Sequence, residues 1–366
     1  MLRLAAANML HRKLRSAICI AAVGVGIAML LVLVGMTEGS LGEVAARMRS
    51  VGADLLVHPD DVNPVLDSEA IMPMKAGEMI EAVDGVRAAC PVVLARIALK
   101  NKTQRVFGVN PDAFRSVGAS LEIVEGRLWQ GENEIVIDRR LSEGLGYKLN
   151  DVINRLGRDL TVVGICEANN GARVLMPIET LQKARAVKDR ASFFFVKCAS
   201  PDDAGTVASK IEQALAVIGV RTILLRDYDH ALRQSFRGLE EFIRGVSAVC
   251  LAVSFLVIFL ALYVAVLERT REIGILKSLG ASKAAIVMNV MAESLFLCLL
   301  GVLCGIALST AGKFAIAKFL PMLTVVLSVK WMLAAGALGV AGSVLGAVYP
   351  AWCAARLDPA VALNYE

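Results

Sequence analysis

Residues 268–283 read ERTREIGILKSLGASK and lie between two apolar stretches that are long enough to span a membrane. Ile273, Leu276 and Leu279 recur at three-residue spacing, and charged side chains occupy the other faces. This pattern is typical of a short amphipathic helix that lies at a membrane surface and is offered to a partner. We interpret residues 268–283 as a coupling segment, through which a cytosolic protein acts on the membrane part of the chain.

The amino-acid composition indicates a membrane protein with one large soluble block. Of the 366 residues 56% are hydrophobic, the mean hydropathy is +0.61, and the net charge of +5 gives no indication of nucleic-acid binding. A membrane-spanning helix needs roughly 20 apolar residues. Four stretches are predicted to span the membrane, namely residues 17–35, 246–267, 284–311 and 331–351. The block between the first two has an ordinary soluble composition and room for its own core.

Basic residues near the ends of these stretches predict the orientation of the chain. Lys and Arg precede the first stretch and recur in the coupling segment, so both segments are expected in the cytoplasm. The C-terminal tail is then cytoplasmic and the soluble block lies outside, although Lys313, Lys318 and Lys330 add positive charge to an outer loop. The first stretch is interpreted as an uncleaved anchor, because it is long for a secretory signal.

This topology predicts four transmembrane α-helices with an extracytoplasmic α+β domain inserted between the first and second spans. The segments are 1–16 (cytoplasmic amphipathic helix), 17–38 (first span), 39–230 (extracytoplasmic domain), 231–267 (stalk and second span), 268–283 (coupling segment), 284–312 (third span), 313–330 (outer loop), 331–351 (fourth span) and 352–366 (cytoplasmic tail). After Asp229 no strong helix breaker precedes the second span. We therefore expect one continuous helix there, which could carry motion from the membrane to the outer domain.

The outer domain shows strand-like and helix-like patterns in alternation, which favours an α+β or α/β module with βαβ-type units. Strands are predicted at 54–58, 92–100, 105–109, 134–138, 160–166, 192–197 and 221–225, and helices at 75–82, 139–145, 178–187 and 201–218. Pro201 is placed in the first turn of the last helix, and Gly219 is expected to end it.

The sequence contains no recognisable catalytic or metal-binding pattern. There is no G-x-x-x-x-G-K-[ST] phosphate loop, no G-x-S-x-G motif and no H-E-x-x-H motif. Ser309 and Lys313 are interpreted as packing and interfacial residues, and Met72, Met74 and Met79 as packing residues. We expect no catalytic site, no cofactor and no metal in this chain.

One acidic residue and several paired glycines are candidates for gating or helix packing. Glu293 is the only acidic residue well inside an apolar stretch, where buried charge is costly and commonly functional. Small residues four apart allow close helix approach. Such pairs occur at Gly35/Gly39, Gly301/Gly305 and Gly342/Gly346.

Three separated segments resemble the FtsX-like/MacB-type permeases, the membrane subunits of type VII ABC transporters. They are 4–16 (LAAANMLHRKLRS), 268–283 with the following Glu293, Gly301 and Gly305, and 349–366 (YPAWCAARLDPAVALNYE). Asn364 replaces the usual Arg of the last motif. Residues 52–57, 107–111 and 161–165 are similar, more loosely, to pieces of the MacB-like periplasmic core.

The resemblance implies a permease that works as a homodimer or paralogue heterodimer in a bacterial inner membrane. A cytosolic ABC ATPase, expected as another polypeptide because the chain begins at the permease, would bind ATP and Mg and drive efflux by mechanotransmission. The second span and its stalk would transmit the force, and a periplasmic adaptor or outside protein is a further possible partner. The residues expected to contact the ATPase are Glu268, Arg269, Arg271, Glu272, Gly274, Lys277, Gly280 and Ser282.

Two other functions share this plan and stay open. An FtsX-type protein regulates cell-wall hydrolases, and a lipoprotein-releasing permease extracts lipoproteins from the membrane. The large outer block suits the MacB-like domain better than the smaller FtsX domain. No residue set indicates a particular cargo.

Overall fold

The computed structural model describes residues 13–62, 71–100, 102–167, 170–268, 270–320 and 322–356. The N-terminal helix predicted within residues 1–16 and the tail motif within 349–366 therefore lie largely outside the described residues. The described chain forms two compact units. The helical unit comprises residues up to Gly39, Gly238–Phe319 and residues from Leu323, and the sheet unit comprises Ser40–Arg237 and Leu320–Met322.

Eleven helices occur in the described residues. They are α1 Lys13–Arg49, α2 Ala76–Glu81, α3 Pro111–Ser116, α4 Arg139–Leu145, α5 Ile178–Arg185, α6 Ala204–Ala214, α7 Tyr228–Ser235, α8 Arg237–Glu268, α9 Thr270–Ser278, α10 Lys283–Phe319 and α11 Val329–Arg356. A short 3₁₀ turn, Leu225–Asp227, precedes α7.

The strands of the sheet unit form one large mixed sheet and one short ribbon. They are β1 Leu55–Pro59, β2 Met72–Pro73, β3 Val86–Leu99, β4 Lys102–Val109, β5 Ile123–Gly126, β6 Glu134–Asp138, β7 Val152–Arg155, β8 Arg158–Cys166, β9 Val174–Pro177, β10 Arg190–Ala191, β11 Phe193–Cys198 and β12 Val220–Leu224. The large sheet has the order β12-β1-β11-β3-β4-β9-β6-β8-β5, with β7 also paired to β8, and β10 pairs with β2. Pairs β4–β9 and β6–β8 are parallel and the other neighbours are antiparallel.

Both faces of the large sheet are covered, because successive residues of each strand point to opposite sides. In β11, Phe193 and Phe195 join one core with the end of α1, α3 and α7. Phe194 and Val196 point to the other side and pack with α2 and α6. A further cluster on β3, β4, β6, β8 and β9 packs against α4 and α5. Strands buried on both faces read as continuous apolar runs, which is why β9 (VLMP) has no polar alternation.

Side-chain caps fix two helix starts directly after buried strands. Asn110 follows β4, and its Oδ1 accepts a hydrogen bond from the N–H of Asp112 at 2.9 Å, with Pro111 in the first helical position. Asp138 ends β6, and its Oδ1 accepts from the N–H of Leu141 at 2.6 Å. Each helix therefore begins without an intervening loop.

The predicted strands and helices of the outer block agree well with those observed. Strand 134–138 and helix 139–145 are confirmed residue for residue. The predicted helix 201–218 is shorter, at Ala204–Ala214, and Gly219 follows it with a φ of +70°. Short strands β2, β5, β7, β9 and β10 and helix α3 were not predicted, since fragments of a few residues carry little periodicity.

Within the described ranges, three helices are long and apolar enough to cross a membrane, namely Ser16–Arg49, Lys283–Phe319 and Val329–Arg356. The other predicted span, 246–267, lies within α8, where many side chains are outside the described part of the structure. Helix α10 continues to Phe319, beyond the predicted third span, which shortens the predicted outer loop.

The helix expected to continue from Asp229 into the second span is interrupted, so that prediction is wrong. Phe236 separates α7 from α8 with a φ of −111° and a ψ of 36°. Its N–H donates to the carbonyls of both Leu232 at 3.1 Å and Arg233 at 3.2 Å, which tightens the last turn of α7. Apolar periodicity continues across such a break, and so the sequence did not reveal it.

Candidate functional site

The coupling segment forms the short helix α9, whose ends are marked by Thr270 and Gly280. The Oγ1 of Thr270 donates to the carbonyl of Leu267 at 2.7 Å. Gly280 has a φ of +93°, which favours glycine and ends the helix. Arg269 lies outside the described residues. The side chains of three other predicted coupling residues, Glu268, Arg271 and Glu272, are also outside the described part.

The last turn of α9 is attached to the C-terminal end of α11 through Lys277. Lys277 Nζ donates to the carbonyl oxygen of Ala355 at 2.8 Å. A cation suits this position, because the last carbonyls of a helix carry partial negative charge. Ile273 is buried in the same cluster as Val266, Ala351 and nearby residues of α10. One side of the coupling helix is therefore committed to packing within the helical unit.

Two apolar side chains of the coupling segment are exposed. Leu279 comes after the helix end and is 79% exposed, and Ile275 is also exposed. Leu279 thus does not continue the apolar stripe of Ile273 that the sequence predicted. Ser282, another predicted coupling residue, has a structural contact at the start of α10, where its Oγ accepts from the N–H of Ala285 at 3.2 Å.

A polar layer lies between α10 and α11. Glu293 is 5% exposed and engages in polar interaction within the fold. Beside it, the hydroxyl oxygens of Ser294 and Ser343 lie 2.6 Å apart, and each lies 3.1 Å from the other residue's carbonyl oxygen. Each hydroxyl therefore has a hydrogen-bond partner across the helix pair, which is how polar groups are tolerated in an apolar bundle.

The predicted packing glycines lie at close helix contacts. A Cβ on Gly301 would come within 2.8 Å of Val23 of α1, and a Cβ on Gly305 within 2.8 Å of the carbonyl oxygen of Gly24. Gly342 and Gly346 are buried on α11. These positions hold α10 against α1 and give α11 a small-residue face.

The third predicted pair, Gly35 and Gly39, contacts the segment between α10 and α11. The N–H of Val326 donates to the carbonyl of Gly35 at 2.9 Å. A Cβ on Gly39 would lie 2.0 Å from the carbonyl oxygen of Thr324. The part of α1 around Gly35 and Gly39 is thus in backbone contact with this segment.

An aromatic row on α8 and α11 was not predicted, although the spacing of four residues between Phe255, Phe259 and Tyr263 of α8 is visible in the sequence. Ring centroids of Phe259 and Tyr349 are 5.8 Å apart, and those of Tyr349 and Trp352 are 6.3 Å apart. Arg356 lies over the Trp352 ring at 3.9 Å. Aromatic pairs of this separation contribute about 0.5–1.5 kcal/mol each beyond their buried area.

A partly buried ionic cluster in the sheet unit was not predicted either. Glu43 of α1 accepts from Arg173 Nη2 at 2.7 Å and lies 3.2 Å from Arg140 Nη1. Asp138 lies 4.0 Å from Arg173, and burial raises the pKa of its carboxyl. Glu43 and Arg173 are 130 residues apart in sequence, so no local pattern indicates the cluster.

The remaining titratable groups of the sheet unit suit structural roles. Burial raises the pKa of the Cys90 thiol to about 12, and the pKa of both Cys166 and Cys198 to about 11. All three are free thiols. Among the described residues, no group of three or more His, Cys, Asp or Glu side chains could hold a metal ion.

Two family models match the chain. The model of the MacB-like periplasmic core domain matches residues 16–214, which is more than half of the chain, and that of the FtsX-like permease C-terminal region matches residues 244–359. The chain belongs to the FtsX-like/MacB-type permeases. In this permease the second match contains the coupling helix, the serine pair and the aromatic row, and the first contains α1 and the ionic cluster.

Relatives of this permease include proteins named as combined ATP-binding/permease proteins and one named as a permease. It is 24% identical over 97% of its length to the macrolide export ATP-binding/permease protein MacB of Bdellovibrio bacteriovorus, and it covers 60% of that protein. It is also 24% identical over its whole length to the uncharacterized ABC transporter permease YknZ of Bacillus subtilis, of which it covers 98%. The chain thus spans about 60% of the length of the MacB relatives. The periplasmic region of MacB from Actinobacillus actinomycetemcomitans is similar over 51% of this chain and 95% of that one, with 12% identity and a TM-score of 0.38.

Proposed function

We propose that this permease couples ATP hydrolysis by a separate cytosolic ABC ATPase to movements of its sheet unit outside the cytoplasm, and that these movements drive efflux by mechanotransmission. The observation that carries the proposal is the geometry of the coupling helix α9. One side of α9 is attached to the helical unit by the contact of Lys277 with Ala355 and by the burial of Ile273. Ile275 and Leu279 are exposed. A helix that is attached on one side and exposed on another is suited to receive force from a docking protein.

The proposed topology has four transmembrane helices, α1, α8, α10 and α11, with both termini in the cytoplasm of a bacterial cell. The length and apolar composition of α1, α10 and α11 support it, and α8 contributes 32 residues that include the predicted second span. With two spans before it and a cytoplasmic start, α9 would lie in the cytosol, where basic residues accumulate.

The ATPase is proposed as a partner because the sequence has no phosphate loop. ATP and Mg would be bound there, and this chain would have no enzymatic activity of its own. The permease relative YknZ is matched over nearly its full length, which supports a separate partner. A second protomer and an adaptor complete the proposed assembly. Because MacB relatives are named for macrolide export, macrolides are the first compounds to test.

The test reverses charge in the coupling segment of the intact chain. Glu268→Lys and Glu272→Lys are expected to reduce stimulation of the ATPase at least tenfold in reconstituted membranes, because both acidic residues belong to the docking surface. The permease should keep its thermal stability. Glu241→Lys, on the exposed part of α8, is the matched charge reversal and should leave stimulation unchanged. Full stimulation by both coupling variants would refute the assignment.

A further inference from the structure

The two chain connections that lead into the sheet unit differ in continuity. Helix α1 is unbroken from Lys13 to Arg49, and its residues belong to both units. The other connection is broken at Phe236, between α7 and α8. A continuous helix transmits displacement and rotation along its axis, whereas a non-helical residue between two helices absorbs them in its φ and ψ.

The last turns of α1 are part of the sheet-unit core. Ala45, Met48 and Val51 are buried in the same cluster as Phe107 and Phe195 of the large sheet. The carbonyl of Arg47 accepts a hydrogen bond from the N–H of Gly171 at 3.1 Å. The end of α1 is thus enclosed by the sheet unit and bonded to the backbone before β9.

Glu43 adds an ionic attachment just before these turns. Its carboxylate meets Arg173, at the start of β9, through a 2.7 Å hydrogen bond, and Arg140, in α4, at 3.2 Å. Glu43 is 13% exposed and Arg173 is 8% exposed. The Arg140 side chain is 46% exposed. A carboxylate that pairs with two guanidinium groups, one of them shielded, resists rotation of α1 about its axis, because the pairing is directional.

We infer that α1, and not the second span with its stalk, carries force into the sheet unit, and that Glu43 is the positioning residue that fixes the rotational setting of α1 there. The inference rests on the proposed function for the source of the force. It goes beyond that function by assigning the force to α1 and the positioning to Glu43. The break at Phe236 and the ionic attachment at Glu43 lie on different chain connections, so each connection can be interrupted separately.

The experiment inserts two glycines into each connection of the full-length chain, reconstituted with its ATPase. One insertion follows Gly42 in α1, where an added Cβ would meet nothing within 4 Å, and it leaves Glu43 in the sheet unit. The matched insertion follows Phe236. The native cysteines are first replaced. Spin labels are then attached at Val217→Cys of the sheet unit and Leu303→Cys of the helical unit, which are both exposed positions. The distance between the two labels is compared in the ATP–vanadate and nucleotide-free states.

The insertion in α1 is expected to abolish the nucleotide-dependent distance change, and the insertion after Phe236 is expected to preserve it. Glu43→Gln, which keeps the side-chain size, should broaden the distance distribution and reduce the shift at least twofold with an unchanged melting temperature. Equal responses of the two insertions, or loss only after Phe236, would overturn the inference. Absence of any shift in the uninserted chain would instead refute the proposed function.

Discussion

At the residue scale, Lys277 and Leu279 show how the coupling helix is divided between packing and exposure. Both were predicted to belong to one amphipathic docking segment. Lys277 donates to the carbonyl of Ala355 at 2.8 Å, so part of its role is to tie α9 to the end of α11. Leu279, directly after the end of α9, has an exposed side chain. A large exposed apolar residue beside charged ones is a common interface anchor.

The exposure of Leu279 leads to a prediction about binding. Leu279→Asp is expected to weaken association of the full-length permease with its ATPase at least tenfold, because a charge would replace the exposed apolar anchor. Melting temperature should not change, since surface substitutions usually alter stability by less than about 0.5 kcal/mol. Association is measured by titration of the purified ATPase into the permease in detergent or nanodiscs.

A matched control for Leu279→Asp is Val217→Asp, at a residue of the sheet unit that is 101% exposed. This variant should bind the ATPase as the native chain does. Equal affinity of the Leu279 variant and the control would exclude Leu279 from the docking surface, whatever the fate of the charged residues around it.

At the element scale, helix packing depends on positions where no Cβ fits. Gly305 of α10 lies against the backbone of Gly24 and the side chain of Ile27. A Cβ added to Gly305 would lie 2.8 Å from the carbonyl oxygen of Gly24 and 2.8 Å from the Cβ of Ile27. Backbone cannot move away as a flexible side chain can. Gly312, two turns later on the same helix, has only an ordinary contact of 3.6 Å with Val32. Identical substitutions at the two glycines should therefore differ in effect.

Gly305→Ala is expected to destabilise the helical unit by about 1–3 kcal/mol, the usual cost of overpacking. Gly312→Ala should be neutral or slightly stabilising, because alanine favours helix over glycine. Both are measured as shifts in thermal unfolding in the same detergent. A neutral Gly305→Ala variant would show that α1 and α10 are not held by this contact.

At the scale of the whole molecule, the chain has separate cores in its two compact units. The sheet unit has a large sheet covered on both faces. The helical unit has one apolar cluster on α1, α8, α9, α10 and α11. Units with separate cores commonly unfold as separate cooperative transitions. Substitutions inside each core should therefore act on different transitions of the same protein.

We predict two calorimetric transitions for the full-length chain in detergent. Phe195→Ala removes a fully buried ring from the sheet unit and should lower one transition by about 3–5 kcal/mol of unfolding free energy. Gly305→Ala should lower the other transition. A single transition that shifts with both substitutions would contradict independent cores.

The sequence by itself determined the features that depend on local backbone preference and composition. Apolar length revealed the long helices α1, α10 and α11, and alternating patterns identified strand 134–138 and the following helix. The motifs at residues 4–16, 268–283 and 349–366 indicated the permease family. Each of these signals is contained in neighbouring residues, and the physics that produces it is equally local.

Tertiary structure alone decided the pairings between distant residues. Lys277 and Ala355 are 78 residues apart, and Glu43 and Arg173 are 130 apart. The break at Phe236 likewise appeared only in the structure, since apolar periodicity continues across it. Such contacts form when packing brings surfaces together, and the free energy that selects them belongs to the assembled core rather than to any segment. The coupling helix could be found from its sequence, but which of its residues are anchored and which are exposed depends on the helices around it.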